Sequence, residues 1–299
     1  MVTRANDSEA DTDPTRVVIR RPERQRLPVV VSSPHSGRDY PEAFLSASRL
    51  DAQAIRRSED AFVDELVARA PELGCPLVVA RFPRAYLDVN REPFELDPAM
   101  FDGALSGPVN SRSPRVRSGL GTVPRVVAGG AEIYRTRLPV AEAAARLERC
   151  YLPYHAALAE LLEETRQRFG AACLIDCHSM PSVGHEGAAR ARVDIVLGDR
   201  FGASCDRTMT EAASASLRRS GLTVRRNDPY PGGFITEHYG RPEVGLHAVQ
   251  VEMNRGLYMD EKALVRGPGM AGLAACIETL IADMGQAMLA LARPAAAAE

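Results

Sequence analysis

Two short β-branched apolar runs in this chain each lead into a histidine. Val29-Val30-Val31-Ser32-Ser33-Pro34-His35 is the first, and Cys173-Leu174-Ile175-Asp176-Cys177-His178 is the second. Runs of this composition predict buried strands of a parallel sheet. In open α/β sheets, ligands bind at the carboxyl ends of such strands. A histidine held there on rigid backbone is neutral often enough to bind a metal. Either one alone would more often be a buried ring satisfied by backbone, whereas two at the same topological position point to a site.

A catalytic zinc site takes three ligands from His, Asp or Glu and leaves one position for water. Glu59 and Asp60 both offer a third ligand after His35 and His178, although acidic residues at what reads as a helix start also simply stabilise the helix dipole. Asp176 can orient a ligand from behind. The segment Arg84-Ala85-Tyr86-Leu87-Asp88-Val89-Asn90-Arg91 ends on an amide and a guanidinium. Arg91 can grip a carboxylate with two parallel hydrogen bonds, or it can pair with Asp88 or Glu92. In the run from His247 to Asn254, strand alternation places Ala248, Gln250, Glu252 and Asn254 on one face. A glutamate in so apolar a strand is costly to bury unless it is paired or working. Beside a zinc-bound water it can act as general base and then as acid; the competing assignment is a buried pair with Arg255.

These side chains need a scaffold, and the pattern supplies one. Strand-like runs recur at residues 28–33, 77–82, 86–89, 172–176, 194–198, 222–226 and 247–253, with helical patterns between several of them. The helical stretches are Ser58 to Arg69, Val140 to Phe169 with Pro153 kinking or splitting it, and Cys205 to Arg218. Strands alternating with helices predict one α/β domain over residues 16–292 with a mostly parallel central sheet flanked by helices. Residues 1–15 read as a disordered segment and 293–299 as a frayed tail. Pro34 and Gly37 predict a tight turn after the first strand. Residues 93–137, rich in Pro, Gly, Ser and Arg, read as a functional loop or lid, and residues 227–243 as a second loop. The apolar segment from Ala271 to Ala292 carries Glu278 and Asp283, is broken by Gly285, and reads as an amphipathic terminal helix rather than a membrane span.

A formal net charge of −2 without a basic block argues against a nucleic-acid partner and leaves room for a small anionic substrate. Six cysteines without C-x-x-C spacing, most inside apolar runs, and a polar first stretch without an apolar signal core fit a reduced cytoplasmic setting.

Six pieces in order resemble the N-formylglutamate amidohydrolases: Ser33-Pro34-His35-Ser36-Gly37, Asp88-Val89-Asn90-Arg91, Asp176-Cys177-His178-Ser179, Gly202-Ala203-Ser204-Cys205, Gly232-Gly233-Phe234-Ile235-Thr236 with His238-Tyr239-Gly240, and Gln250-Val251-Glu252 through Glu261. That family is distantly similar to zinc carboxypeptidases and aspartoacylases, so the resemblance implies a zinc-carboxypeptidase or phosphorylase/hydrolase-like fold. It further implies one zinc ion held by His35, Asp60 and His178, with Asp60 preferred to Glu59, and Glu252 as the general acid/base. Asn90 and Arg91 would grip the substrate's carboxylate, and Arg84 would polarise the scissile carbonyl. Thr236, His238 and Arg255 would line the pocket, and Tyr154-His155 would be structural. Glu237 and the segment from Pro93 to Arg137 depart from the family pattern. The implied activity is hydrolysis of the amide of an N-acylated acidic amino acid, with N-formyl-L-glutamate as the leading substrate. The alternatives are a zinc carboxypeptidase, a peptidoglycan-type amidase, and a non-enzymatic small-molecule binding protein on the same scaffold.

Overall fold

The computed structural model describes residues 17–182 and 193–292, so the expectations for residues 1–15 and 293–299 fall outside it. Its centre is a seven-stranded sheet. We label the strands β1 (Val17–Arg20), β2 (Val29–Ser33), β3 (Leu77–Ala80), β4 (Ala172–Met180), β5 (Ile195–Gly198), β6 (Val224–Arg226) and β7 (Leu246–Asn254). They lie in the order β1-β3-β2-β4-β7-β5-β6. The core strands β3, β2, β4 and β7 run parallel, β6 runs parallel to β5, and β1 on β3 and β5 on β7 are the antiparallel exceptions. The expected mostly parallel α/β domain is therefore what forms.

Every residue of β2, β4 and β7 is buried, because helices cover both faces of the sheet. Val29, Val31, Cys173, Ile175, Val249 and Val251 face one core, with Met209, Ala213 and Leu217 of helix Arg207–Arg219 and Leu273, Ile277 and Leu280 of helix Met270–Ala292. Val30, Ala172, Leu174 and Ala248 face the other, with Tyr154, Leu158 and Leu161 of helix Leu152–Phe169. By length and composition the terminal helix is apolar enough to cross a membrane, yet here its apolar stripe packs onto the sheet. It runs unbroken through Gly285, where the Leu27 side chain fills the space that a Cβ would need.

Several local expectations are corrected. His178 does not end its strand: β4 continues to Met180, and His178 ↔ Glu252 is one of its registered pairs with β7. Residues 86–89 form no strand; they follow a turn at Arg84 to Tyr86 and are pinned under the 93–137 segment, with the Asp88 amide donating to the Thr122 carbonyl. Helix does not span Ser58 to Arg69. A 3-10 turn (Ala54–Ser58) ends before Glu59, and a four-residue helix (Val63–Leu66) starts after Phe62, whose φ of 65° breaks the run. Glu59 and Asp60 thus lie in extended backbone between the two, and the helix-dipole explanation for the acidic pair falls away. The stretch at Val140 to Phe169 does split. A π turn at Leu147–Tyr151 separates Val140–Arg146 from Leu152–Phe169, next to Pro153, which has no N–H to continue the ladder. Edge strand β1 left no mark that the sequence reading caught.

Gly37 is needed for closeness rather than for a turn. A Cβ there would lie 2.1 Å from the Phe82 carbonyl oxygen and 2.6 Å from the Arg81 backbone. Gly37→Ala should therefore lower stability by about 2 kcal/mol, seen as a lower urea midpoint at unchanged slope; an unmoved midpoint would contradict the packing.

His155 is structural, as expected. Its Nε2 lies 2.9 Å from the Val89 carbonyl and its Nδ1 2.9 Å from the Tyr239 hydroxyl. Burial pushes its pKa down from 6.5 to about 4 against the opposing Val89 bond. The unfolded chain therefore takes up a proton that the folded state refuses, and stability falls as pH drops from about 6.5 towards 4. Relative to wild type, His155→Gln should lose up to about 3 kcal/mol of this acid sensitivity in melts across that range.

Candidate active site

The carboxyl ends of β2, β4 and β7 open into a cleft of about 580 Å³. Strand register sets its floor. Ser32, Asp176 and Gln250 stand level across three neighbouring strands, and His178 and Glu252 stand level one pleat further on. With side chains alternating along a strand, all five share the face that carries the Leu174 and Ala248 core. His35 joins them from the bend after β2, and Asp60 from the extended link whose amide donates to the His35 carbonyl.

His178 Nδ1 is 3.1 Å and His35 Nδ1 3.4 Å from the same oxygen, Asp60 Oδ2. Ligand atoms of these three residues all lie within 4.8 Å of one another, and all three residues are buried. The outer nitrogen of each ring faces a carboxylate. His35 Nε2 is 2.8 Å from Asp88 Oδ1, and His178 Nε2 is 2.8 Å from Asp176 Oδ2. A proton held at each Nε2 leaves both Nδ1 lone pairs turned inward, which is how a carboxylate behind a histidine prepares it for a metal. Ser32 in turn donates to Asp176 at 2.6 Å. The second Asp60 oxygen, Oδ1, is taken by Ser179 Oγ at 2.9 Å and Arg255 Nη2 at 3.2 Å, so Oδ2 is the one left for the centre. Burial alone would push the Asp60 carboxyl up, but His178 and His35 together hold it well below the usual carboxylate range. Buried His35 Nδ1 makes no hydrogen bond. An orphaned lone pair aimed at an ionised oxygen and a second imidazole is the donor set that catalytic zinc uses. His35, Asp60 and His178 fit that ion.

Glu59 cannot compete for it. Its carboxylate is held by Arg56 at 2.9 Å to both oxygens and by the Tyr40 hydroxyl at 2.6 Å.

Glu252 lines the cleft beside this cluster and is almost fully buried. Its Oε1 accepts from the Gln250 amide at 2.8 Å, and the Gln250 oxygen accepts from Gly233 N at 2.8 Å. Burial pushes its pKa up to about 7; His178, Arg84 and Arg255 oppose the rise, and the Asp60 charge adds to it. The alternative pairing with Arg255 is not made, because Arg255 turns to Asp60, Ser179 Oγ and the Glu59 carbonyl.

The other sequence candidates divide. Arg84 lines the cleft and pairs with Asp88 at 3.0 Å. Arg91 also lines it, but its guanidinium already contacts Leu120 O, Asn90 O and Asp88, so it reaches the cleft with only part of its donor set free. Asn90 borders the cleft while its side chain serves the scaffold: Oδ1 accepts from Ile235 N at 2.8 Å, and Gly233 packs so closely that a Cβ would sit 2.4 Å from Nδ2. Thr236 is buried behind Gly232, in contact range of the Cβ that Gly232 lacks. His238 is not brought to this cleft. It stacks on Phe234 at 5.0 Å in a separate depression with Glu92, Arg115 and Arg241. Sequence reasoning missed Gln250 as a working residue, although alternation had put it on the face of Glu252. It also missed Arg57, Arg115, Arg200 and Tyr230, all on turns or loops where no periodicity marks direction.

Two imidazoles and a carboxylate beside a buried glutamate, at the carboxyl edge of a parallel sheet, form a donor set of the kind that a hydrolase's metal ion would take. The sequence profile of the N-formylglutamate amidohydrolases matches residues 27–259, and the chain belongs to that family of linear-amide hydrolases. It is 33% identical over 276 residues to the N-formylglutamate deformylase of Pseudomonas aeruginosa, covering 90% of this chain and 96% of that one. To the N-formylglutamate deformylase of Pseudomonas putida it is 31% identical over 240 residues, 79% of this chain and 83% of that one. The crystal structure of the N-formylglutamate amidohydrolase from Ralstonia eutropha JMP134 superposes with a TM-score of 0.83 at 36% identity, covering 93% of this chain and 97% of that one.

If Asp60 rather than Glu59 is the third ligand, Asp60→Asn should weaken zinc binding by at least about 100-fold in chelator competition, and Glu59→Gln should change it by less than about 10-fold. The reverse ranking would dismiss the Asp60 assignment.

Proposed function

We propose that this protein hydrolyses N-formyl-L-glutamate to formate and L-glutamate with one zinc ion held by His35, Asp60 and His178. The observation that carries the reading is the convergence of ligand atoms of His35, Asp60 and His178 within 4.8 Å of one another, next to a buried glutamate in register with His178. The named activity of the Pseudomonas deformylases and the Ralstonia amidohydrolase supports the choice of substrate. Zinc in that site would supply Lewis acidity to the formyl oxygen and to the attacking water. The protein's own groups do the rest. Glu252 takes a proton from water as the oxygen attacks the formyl carbon. It then delivers that proton to the amide nitrogen as the C–N bond breaks. Gln250 fixes which Glu252 oxygen is free, since the other accepts its amide. Arg84, held by Asp88 at the cleft wall, stabilises the charge that builds on the formyl oxygen. The free donors of Arg91 grip a substrate carboxylate and keep the formyl end in register. Asn90 and Arg255 act one step back, the first by fixing the turn at Gly233 to Ile235 and the second by fixing Asp60. Work in the cytoplasm is part of the proposal and is supported by six cysteines that form no disulfide, five of them buried.

Glu252→Gln should keep its zinc and lose at least about 100-fold in kcat on N-formyl-L-glutamate. Zinc retention is read by metal analysis and turnover by formate release. Near-normal turnover would remove Glu252 from the reaction, and activity on no formyl-, formimino- or acetyl-amino acid would remove the function.

A further inference from the structure

Six arginines line the cleft: Arg57, Arg84, Arg91, Arg115, Arg200 and Arg255. Four have carboxylate partners within the protein. Arg84 and Arg91 share Asp88, Arg255 pairs with Asp60, and Arg200 pairs with Glu237 at 2.9 Å. Arg57 and Arg115 are different. Among the described residues, neither guanidinium has a hydrogen-bond or ion-pair partner.

Both unpartnered groups stand on pinned backbone. Arg57 lies in the last turn of Ala54–Ser58, between Ser58, whose hydroxyl accepts from Ala128 N, and Arg56, which clamps Glu59. Three residues on is Asp60. Arg115 lies in the Pro114–Arg117 turn, capped by the Ser113 hydroxyl on Val116 N, and its carbonyl accepts from Leu120 N. Leu120 O in turn accepts from Arg91 Nε, and Thr122 locks onto Glu92 and Glu95. Gly121 lets this segment approach Glu95, where a Cβ would sit 2.3 Å from the carbonyl oxygen. The 93–137 segment is thus a fixed cleft wall that carries a cation beside Arg91.

We propose that Arg57 and Arg115 are specificity residues that select a doubly anionic acyl-amino acid, by binding its side-chain carboxylate while Arg91 holds the α-carboxylate. This rests on the proposed reading of the cleft and deepens it. Exposed, unpaired guanidinia at the cleft wall keep their full fork of donors for a carboxylate. An amide in place of that carboxylate forfeits the charge on the hydrogen bond.

The experiment compares N-formyl-L-glutamate with N-formyl-L-glutamine, which differ only in the side-chain charge. Turnover is measured on the zinc-loaded enzyme, and Kd by calorimetry in the Glu252→Gln background, each with Arg57→Gln, Arg115→Gln and the double variant. Each single variant should lower kcat/KM and raise Kd for the glutamate compound by about 10- to 100-fold and change the glutamine compound by less than about 3-fold. Equal losses on both compounds, or no loss in the double variant, would overturn the proposal; loss from only one arginine overturns the assignment of the other. If wild type turns over neither compound but the Kd values still discriminate, the deformylase reading fails and the specificity assignment stands. If neither compound binds, both fail.

Discussion

The parallel register of β4 on β7 places His178 level with Glu252 and Asp176 level with Gln250, and the chemistry of the cleft depends on it. A slip of one residue would turn the two side chains of the slipped strand to the opposite core and break both pairings. That slip is prevented by apolar residues at the alternate positions: Cys173, Ile175, Val249 and Val251 are fully buried on the other side, under two helices. The packing that stabilises the sheet is therefore also what aligns the proposed metal ligand His178 with the proposed acid/base Glu252.

Around that register the polar groups form a closed set. Asp88 and Asp176 each hold the outer nitrogen of one histidine, and both are themselves held, by Arg84, Arg91 and the Asn90 amide in one case and by Ser32 in the other. Asp60 is held on its far oxygen by Ser179 and Arg255. So many buried charges are costly to desolvate unless each is paired or ligating. Among the buried polar atoms left without a partner is His35 Nδ1, the atom that faces the centre. Ordinary structural histidines are not left this way; His155, by contrast, is satisfied on both nitrogens.

The sequence revealed what periodicity can encode. β-Branched runs mark five of the seven strands closely, and alternation alone puts Gln250 and Glu252 on one face. It erred where direction depends on distant contacts. Residues 86–89 have strand composition but lie beyond the sheet edge, tied to Thr122. Glu59 and Asp60 are alike in sequence; only Arg56 and Tyr40 on one side and two histidines on the other separate them. His238 matched a family pattern, yet its ring lies in another depression, whereas the Asn90 side chain borders the cleft with its oxygen on Ile235 N and its nitrogen 3.4 Å from His178 Nε2. The cleft arginines on turns, Arg57 and Arg115, carry no periodic signal at all.

The central claim is a single zinc ion bound by two imidazoles and one carboxylate at the cluster that faces Glu252. X-ray absorption at the zinc edge of the purified protein tests it most directly. The account predicts a first shell of nitrogen and oxygen alone at about 2.0–2.1 Å, with the outer scattering of two imidazole rings. A sulfur shell at about 2.3 Å would place the metal on cysteine instead and contradict it.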